Sequence, residues 1–282
     1  MIVVTGASGQ LGRLVIEELL QKVPAGQIVA AARNLDRVKD LAARGVLTRS
    51  ADYEQPATLD AAFAGADKIL LVSSSELGRR FPQHKAVIDA AKQAGVKLLA
   101  YTSVLHADTT PLGVAEEHKS TEAYLKESGV PYVLLRNGWY TENYTASVPT
   151  ALKFGVFLGS AGDGRISSAA RADYAAAAAA VMTSENQAGR IYELAGDQAY
   201  TLTDLAAEIS RQSGKAVTYK NLPEDQYKSA LLEAGLPEPI AGLVAESDAG
   251  ASKGALFDGS GQLGQLIGRP TTPMAVSVKA AL

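Results

Sequence analysis

Short apolar runs alternate along the first half of the chain with longer stretches in which apolar positions recur every three or four residues. The runs predict strands at 2–5, 27–32, 46–51, 67–73, 97–103 and 131–136. The longer stretches predict helices near 10–23, 34–44, 56–65, 81–95 and 114–128. Such alternation is typical of βαβ units, and continuous apolar runs such as 68–72 predict strands buried on both faces of a parallel sheet.

The regular alternation of strand and helix patterns is interrupted after residue 138. Residues 139–168 are rich in Gly, Ser and Tyr, whereas an alanine-rich helix near 171–184 and a strand near 190–194 resemble the earlier units. From residue 196 the pattern is mostly helical, and Gly250–Gly254 is typical of a loop.

This change predicts two parts. The first is an α/β core of the Rossmann type, a doubly wound parallel sheet, over 1–138 with 169–195 returning to it. The second is a smaller, mostly helical C-terminal lobe made of 139–168 and 196–282. We expect the substrate to bind in a cleft between the two parts.

Three glycines follow the first predicted strand at once. Gly6, Gly9 and Gly12 give a GxxGxxG spacing between the run Ile2–Val4 and a helical pattern. In a dinucleotide-binding turn the first glycine allows the tight turn, the second lets backbone N–H groups approach a pyrophosphate, and the third lets the helix pack on the strand. The helix N-terminus favours the phosphates. The alternative is an ordinary turn between a strand and a helix.

An arginine follows the second predicted strand. An NAD site usually has an acidic residue near this position to bind the ribose 2′-hydroxyl, whereas Arg33 suits the 2′-phosphate of NADP. Arg37 can add to this pairing. We therefore expect NADPH to bind more tightly than NADH. The alternative is that Arg33 is a solvated residue that opens a helix.

Ligands of doubly wound sheets bind beyond the carboxyl ends of the strands, where this chain has small polar and aromatic residues. They are Ser73, Ser74 and Ser75 after the fourth strand, Tyr101, Thr102 and Ser103 at the fifth, and Arg136, Asn137, Gly138, Trp139 and Tyr140 at the sixth. The serines can approach the ribose and nicotinamide of the cofactor. Alternatively, each serine only hydrogen-bonds its local backbone.

No tyrosine in the chain is followed four residues later by lysine, so the usual Tyr-x-x-x-Lys acid–base pair of short-chain dehydrogenases is missing. A quinone suits such a site, because it accepts hydride readily and the resulting anion can take a proton from water. Tyr140 and Tyr144 can stack on a flat acceptor or donate a hydrogen bond to its oxygen. Alternatively, both tyrosines belong to the core of the second lobe.

Composition limits the classes of partner that we expect the chain to bind. The net charge is −3 and 47% of the residues are hydrophobic, which gives no sign of nucleic acid or an anionic membrane as a partner. The chain has no cysteine, and its three histidines lack metal-ligand spacing, so we expect no metal site. We detect no signal peptide and expect a cytoplasmic protein. A homodimer is a candidate assembly.

Several motifs together resemble the NmrA-like atypical short-chain dehydrogenases, most closely the bacterial NAD(P)H:quinone oxidoreductases of type 2. The matching segments are Thr5–Gly12, Val72–Glu76, Ala100–Ser103, Leu135–Tyr140 and Ala251–Gly254. A related triphenylmethane-dye reductase shares several of them. The resemblance therefore indicates the family more firmly than the electron acceptor.

The resemblance implies a set of cofactor contacts. They are Gly6, Ala7, Ser8, Gly9, Gln10, Leu11, Arg33, Ser73, Ser74, Ser75, Asn137, Gly138, Trp139 and Tyr140. It also implies that Arg171–Asp173 closes the site and that Asp52 lies near the adenine.

His118 stands where relatives that reduce phenylpropanoid ethers have a catalytic lysine, thirteen residues before Pro131. The substitution puts the mechanism of those relatives in doubt but leaves a group that can relay a proton near neutral pH. The alternative is a histidine on the helix surface without a role.

These observations favour an NADPH-dependent reductase that transfers hydride directly to a quinone, in a two-electron reduction to hydroquinone. Only one dinucleotide fingerprint is visible, so we expect no flavin. The alternatives are a non-enzymatic NAD(P)-binding redox sensor of the NmrA type and a reductase of another aromatic acceptor, such as a triphenylmethane dye.

Overall fold

A computed structural model describes residues 1–282. Its nine strands are β1 (Ile2–Val4), β2 (Ile28–Ala32), β3 (Leu47–Ser50), β4 (Lys68–Leu71), β5 (Leu98–Val104), β6 (Tyr132–Asn137), β7 (Val156–Gly159), β8 (Ile191–Leu194) and β9 (Thr218–Asn221). Seven of them form one parallel sheet in the order β3-β2-β1-β4-β5-β6-β8. The order 3-2-1-4-5-6 is that of a Rossmann fold, so the predicted fold class is confirmed.

Thirteen α-helices accompany the strands. They are α1 (Gln10–Leu20), α2 (Lys39–Ala43), α3 (Pro56–Phe63), α4 (Arg80–Gln93), α5 (Ala115–Ser128), α6 (Thr141–Thr145), α7 (Val148–Phe154), α8 (Arg171–Thr183), α9 (Leu202–Ser213), α10 (Glu224–Glu233), α11 (Glu238–Ala251), α12 (Gln262–Ile267) and α13 (Met274–Ala281). None of them combines the length and the apolar character that crossing a membrane requires.

Contacts divide the chain into two compact units. The first unit comprises Met1–Ala107, Glu117–Asn137 and Ala172–Tyr192, and the second comprises Asp108–Glu116, Gly138–Arg171 and Glu193–Leu282. The sequence prediction had placed 108–116 in the core domain. These residues group with the second unit because Leu112 packs in its hydrophobic core and the N–H of Gly113 donates to Glu246 at 2.8 Å.

The first unit is built around strands with continuous apolar runs. All five residues of β2 and all three of β1 are buried, as expected for strands covered on both faces. Leu59 and Phe63 of α3 and Val87 of α4 pack in the same hydrophobic cluster. This packing fixes the carboxyl ends of β1, β2 and β4, from which the candidate site residues project.

The second unit has a core of its own and a small two-stranded parallel sheet, β7–β9, that the sequence pattern did not predict. The predicted loop over Gly250–Gly254 was wrong at its start, because α11 continues to Ala251. A β-carbon on Gly250 would lie 2.4 Å from Cδ2 of Leu112. This glycine therefore serves close packing of a helix rather than flexibility of a loop.

Candidate functional site

The glycine turn lies between β1 and α1. Gly6 has a φ of +60°, the left-handed region that favours glycine, and its carbonyl accepts the N–H of Gly9 at 2.9 Å. The turn needs this glycine for its backbone conformation and not to avoid a clash, because the nearest atom to an added β-carbon would be 3.4 Å away. Gly12 is needed for the close approach of α1 to the turn, since a β-carbon there would lie 2.5 Å from the Gly6 oxygen.

The N-terminus of α1 is open to an anion. Gly9 caps the helix without a side chain, and the first turn contains no acidic residue. N–H groups in the first turn of a helix have no partner inside the helix, and the helix dipole adds partial positive charge there. This arrangement suits a pyrophosphate.

The loop Ser73–Ser75 after β4, which we call the serine loop, is held from helix α4. The N–H of Ser74 donates to Nε2 of His84 at 2.9 Å, and the carbonyl of Ser74 accepts from Nε of Arg80 at 2.7 Å. Arg80 and His84 lie one turn apart on α4, so one side chain hydrogen-bonds the carbonyl of Ser74 and the other hydrogen-bonds its N–H group. This role was not predictable from the sequence for either side chain.

A buried polar cluster lies behind the serine loop. Because Nε2 of His84 accepts an N–H, its proton is on Nδ1, which lies 3.1 Å from Oγ1 of Thr121. The Tyr101 hydroxyl lies 2.6 Å from Nδ1 of His118. Burial lowers the pKa of His84 to about 3 and holds the pKa of His118 well below its usual value, and the charge of Arg80 acts in the same direction.

These facts change two expectations. His118 is 4% exposed, so the alternative of a surface histidine was wrong. Its lowered pKa also leaves it neutral near pH 7, where it does not act as a charged proton relay. Tyr101 is fully buried, and burial raises its pKa above the usual value, so its hydroxyl supports the cluster rather than facing a ligand.

Arg33 follows β2 and is two-thirds exposed, with 67% of its side-chain surface accessible. Its Nη1 donates to Oε1 of Glu76 at 2.9 Å, a contact that sequence reasoning missed. The carbonyl of Arg37 accepts from the guanidinium of Arg13. Asp52, just beyond β3, accepts the N–H of Glu54 at 3.0 Å.

The carboxyl end of β6 supplies Asn137, which is 7% exposed. Its backbone carbonyl accepts the N–H of Leu105 at 2.9 Å, but its side-chain Oδ1 has no hydrogen-bond partner within the protein. Buried polar atoms are nearly always hydrogen-bonded. An orphaned carboxamide oxygen is therefore consistent with a ligand-binding role for this residue.

Two of the predicted site residues meet in the second unit. The guanidinium of Arg171 lies 4.5 Å from the centroid of the Tyr140 ring, within the range of a cation–π contact. The carboxylate of Glu142 accepts the N–H of Arg171 at 2.9 Å and so caps the N-terminus of α8. This capping fixes the backbone from which Arg171 extends.

Tyr144 lies in the core of the second unit, as the alternative interpretation had it. It is 3% exposed, and its hydroxyl donates to Oδ1 of Asp248 at 2.8 Å. Its ring packs near Trp139 and Phe157, with ring centroids 6.2 and 6.5 Å away. Burial raises the pKa of Asp248 to about 6. The hydroxyl of Tyr144 is thus engaged inside the protein.

Comparison with known proteins defines the family. A model of NAD(P)H-binding proteins matches residues 6–185, which include the glycine turn and the serine loop. The match covers more than half of the chain, so the protein belongs to this NAD(P)H-binding family.

Individual relatives are similar over the whole chain. Quinone oxidoreductase 2 of Escherichia coli (strain K12) is 59% identical over 278 residues, 99% of this chain and 97% of the relative. A crystal structure of NADPH-dependent quinone oxidoreductase from E. coli complexed with NADPH superimposes with a TM-score of 0.97, at 59% identity and 99% coverage of both chains. The Citrobacter sp. triphenylmethane reductase complexed with NADP(H) gives a TM-score of 0.96 at 39% identity and complete coverage of both chains.

Proposed function

We propose that this protein is an NADPH-dependent enzyme that transfers hydride directly to a quinone and reduces it by two electrons to the hydroquinone. The observation that carries the proposal is the 59% identity, over nearly the full length of both chains, to a quinone oxidoreductase. The E. coli relative with the same identity binds NADPH in its crystal structure. The geometry of the glycine turn is compatible with the same cofactor.

The residues fit this cofactor. The backbone N–H groups at the start of α1 would bind the pyrophosphate, and Gly12 lets this end of the helix pack against the Gly6 turn. Arg33 would pair with the 2′-phosphate, and Asn137 offers a carboxamide oxygen that lacks a protein partner. When bound, NADPH supplies the hydride, and no flavin or metal is part of the proposal.

The chain itself does little acid–base chemistry in this proposal. It has no Tyr-x-x-x-Lys pair, and His118 is buried and neutral, so a hydroquinone anion would take its proton from water. Tyr140 is the aromatic side chain that we propose contacts the quinone, with Arg171 on its ring. His118 and Tyr101 would act only by positioning the serine loop through the cluster behind it.

We further propose that the enzyme works as a homodimer in the cytoplasm and needs neither nucleic acid nor a membrane. A sequence of 282 residues without cysteine is compatible with a reducing compartment. Light scattering of the purified protein at several concentrations tests the assembly.

A second acceptor class has support of its own. The triphenylmethane reductase of Citrobacter sp. is 39% identical and has nearly the same fold, with a TM-score of 0.96. The same cofactor arrangement can therefore serve a triphenylmethane dye. Competition between a quinone and such a dye for reduction by NADPH ranks the two acceptors.

The test is oxidation of NADPH by the purified protein with a simple benzoquinone as acceptor, beside an NADH control. We expect oxidation that depends on the quinone and is faster with NADPH. Tight NADPH binding without oxidation by any quinone or dye would contradict the proposal and would favour a redox sensor.

A further inference from the structure

The guanidinium of Arg33 is already paired. Its Nη1 donates to Oε1 of Glu76 at 2.9 Å, and no other nitrogen of the group has a hydrogen bond within the chain. Resting on the 2′-phosphate role given to Arg33 in the proposed function, we propose that Glu76 competes with the 2′-phosphate of NADPH for Arg33. Glu76 is then a specificity-determining residue that moderates the preference for NADPH over NADH.

The carboxylate of Glu76 is held in place. Its Oε2 accepts from Nε2 of Gln83 at 2.8 Å, and Gln83 is only 5% exposed. The N–H of Glu76 also donates to Oγ of Ser74 at 3.1 Å, which ties the residue to the serine loop. Glu76 is thus fixed, whereas the two-thirds exposed Arg33 can swing toward a ligand.

The expected effect follows from simple electrostatics. The 2′-phosphate is a dianion at neutral pH and needs the guanidinium, which it would have to share with a carboxylate of like charge. The 2′-hydroxyl of NADH is uncharged and does not compete for Arg33. Glu76 therefore weakens the binding of NADPH and leaves that of NADH nearly unchanged. Because the Arg33–Glu76 pair is solvent-accessible, the effect is modest, about two- to fivefold in Kd.

The experiment is titration of the purified protein with NADPH and with NADH, followed by the fluorescence of the reduced nicotinamide and without any electron acceptor. For Glu76→Gln, which removes the charge but keeps an acceptor oxygen, we expect the Kd of NADPH to fall about two- to fivefold and that of NADH to stay constant. Glu54→Gln is the matched control. Glu54 also accepts from Gln83 but pairs with Arg79 instead of Arg33.

An unchanged or weakened affinity of Glu76→Gln for NADPH would overturn this inference. So would an equal gain in Glu54→Gln, which would indicate a general effect of charge. In an Arg33→Ala background the gain from Glu76→Gln should disappear, and a gain that persisted would show direct repulsion instead of competition. If Arg33→Ala weakens both cofactors equally, the 2′-phosphate role of Arg33 fails. If Arg33→Ala is selective but Glu76→Gln is not, only the role of Glu76 fails.

Discussion

Gly12 and Gly6 are so close that a β-carbon on Gly12 would lie 2.5 Å from the Gly6 carbonyl oxygen and 2.9 Å from its carbonyl carbon. Both are backbone atoms, so the contact cannot be relieved by a side-chain rotation. The start of α1 would have to move away from the turn. Because the N–H groups at the start of α1 are the proposed pyrophosphate site, packing and cofactor binding depend on the same glycine.

We therefore expect Gly12→Ala to lower the free energy of unfolding by about 1–3 kcal/mol and to weaken NADPH binding by about tenfold or more. Thermal unfolding and fluorescence titration measure the two effects. Gly26→Ala is the control, because nothing lies within 4 Å of a β-carbon there. Wild-type affinity for NADPH in Gly12→Ala would show that the glycine turn does not hold the pyrophosphate.

Arg33→Ala and Arg33→Asp should weaken NADPH binding far more than NADH binding. A charge-assisted hydrogen bond to phosphate contributes about 1.5–3 kcal/mol, which corresponds to roughly 10- to 150-fold in Kd. The loss should be larger for Arg33→Asp, because the new carboxylate repels the phosphate. Arg79→Ala, which removes an exposed arginine paired with Glu54, is the control. Equal losses for the two cofactors would contradict the assignment.

Glu122→Gln should destabilise the first unit strongly. Glu122 and Arg136 form a buried ion pair through two hydrogen bonds of 3.0 and 2.7 Å, and Glu122 also accepts from Ser103 at 2.7 Å. Removal of the Glu122 charge breaks this buried ion pair, at a cost of about 3–5 kcal/mol. Denaturant unfolding measures this loss. The exposed Glu127 on the same helix gives the control variant Glu127→Gln, and similar stability of both variants would refute the argument.

The raised pKa of Asp248 predicts that ionisation of this group lowers the stability of the folded protein as pH rises. Burial raises its pKa from 3.8 to about 6, so between these values the folded state binds the proton and the unfolded state does not. The contribution of this group to stability is therefore lost as pH rises through that window, by about 3 kcal/mol.

Asp248→Asn removes this ionisation. Asparagine cannot accept from both Tyr144 and the N–H of Ser160, so the variant is less stable at low pH. Its deficit relative to the wild type should shrink by roughly 2–3 kcal/mol between about pH 4 and pH 7.5. Urea unfolding of both proteins at both pH values measures this difference. The other titrating groups are the same in the two proteins, so their contributions cancel. A deficit that is constant with pH would mean that Asp248 titrates normally.

Replacement of His118 should leave the pH profile of turnover unchanged in the neutral range. Its imidazole is buried beside the Tyr101 hydroxyl, and its pKa lies well below the usual value. His118→Asn can therefore lower kcat through the serine loop, but it should remove no ionisation near pH 7. The profile of kcat against pH for the wild type and the variant decides this. Loss of a neutral-range ionisation in the variant would restore His118 to the proton path.

Much of the first unit was predictable from the sequence. Strands β1 to β6 were predicted within one or two residues, because all of them except β3 are buried parallel strands that give largely apolar runs. The glycine turn was predictable because its determinants lie within seven residues of the chain. By contrast, β9 (Thr218–Asn221) was missed because it is polar and mostly exposed, and β7 was missed because it lies in a region rich in Gly, Ser and Tyr that indicated no regular element.

Side-chain contacts between residues far apart in the sequence were not predictable. Tyr144 and Asp248 are 104 residues apart, and Arg33 and Glu76 are 43 apart, so no local pattern connects them. The hydrogen bond between His84 and Ser74 spans only ten residues, but it depends on how α4 packs against the carboxyl end of β4. Such pairings arise from the tertiary fold, whereas strands and glycine turns are encoded locally.

Direct hydride transfer from NADPH to the quinone is the step on which the proposed function depends. It is tested by reducing a benzoquinone with NADPH deuterated at either C4 position, using protein whose absorbance spectrum shows no flavin. We predict a primary isotope effect on the rate of quinone reduction with one of the two deuterated cofactors. Quinone reduction that shows no isotope effect from either position under single-turnover conditions, or that occurs only after addition of flavin, would exclude direct hydride transfer.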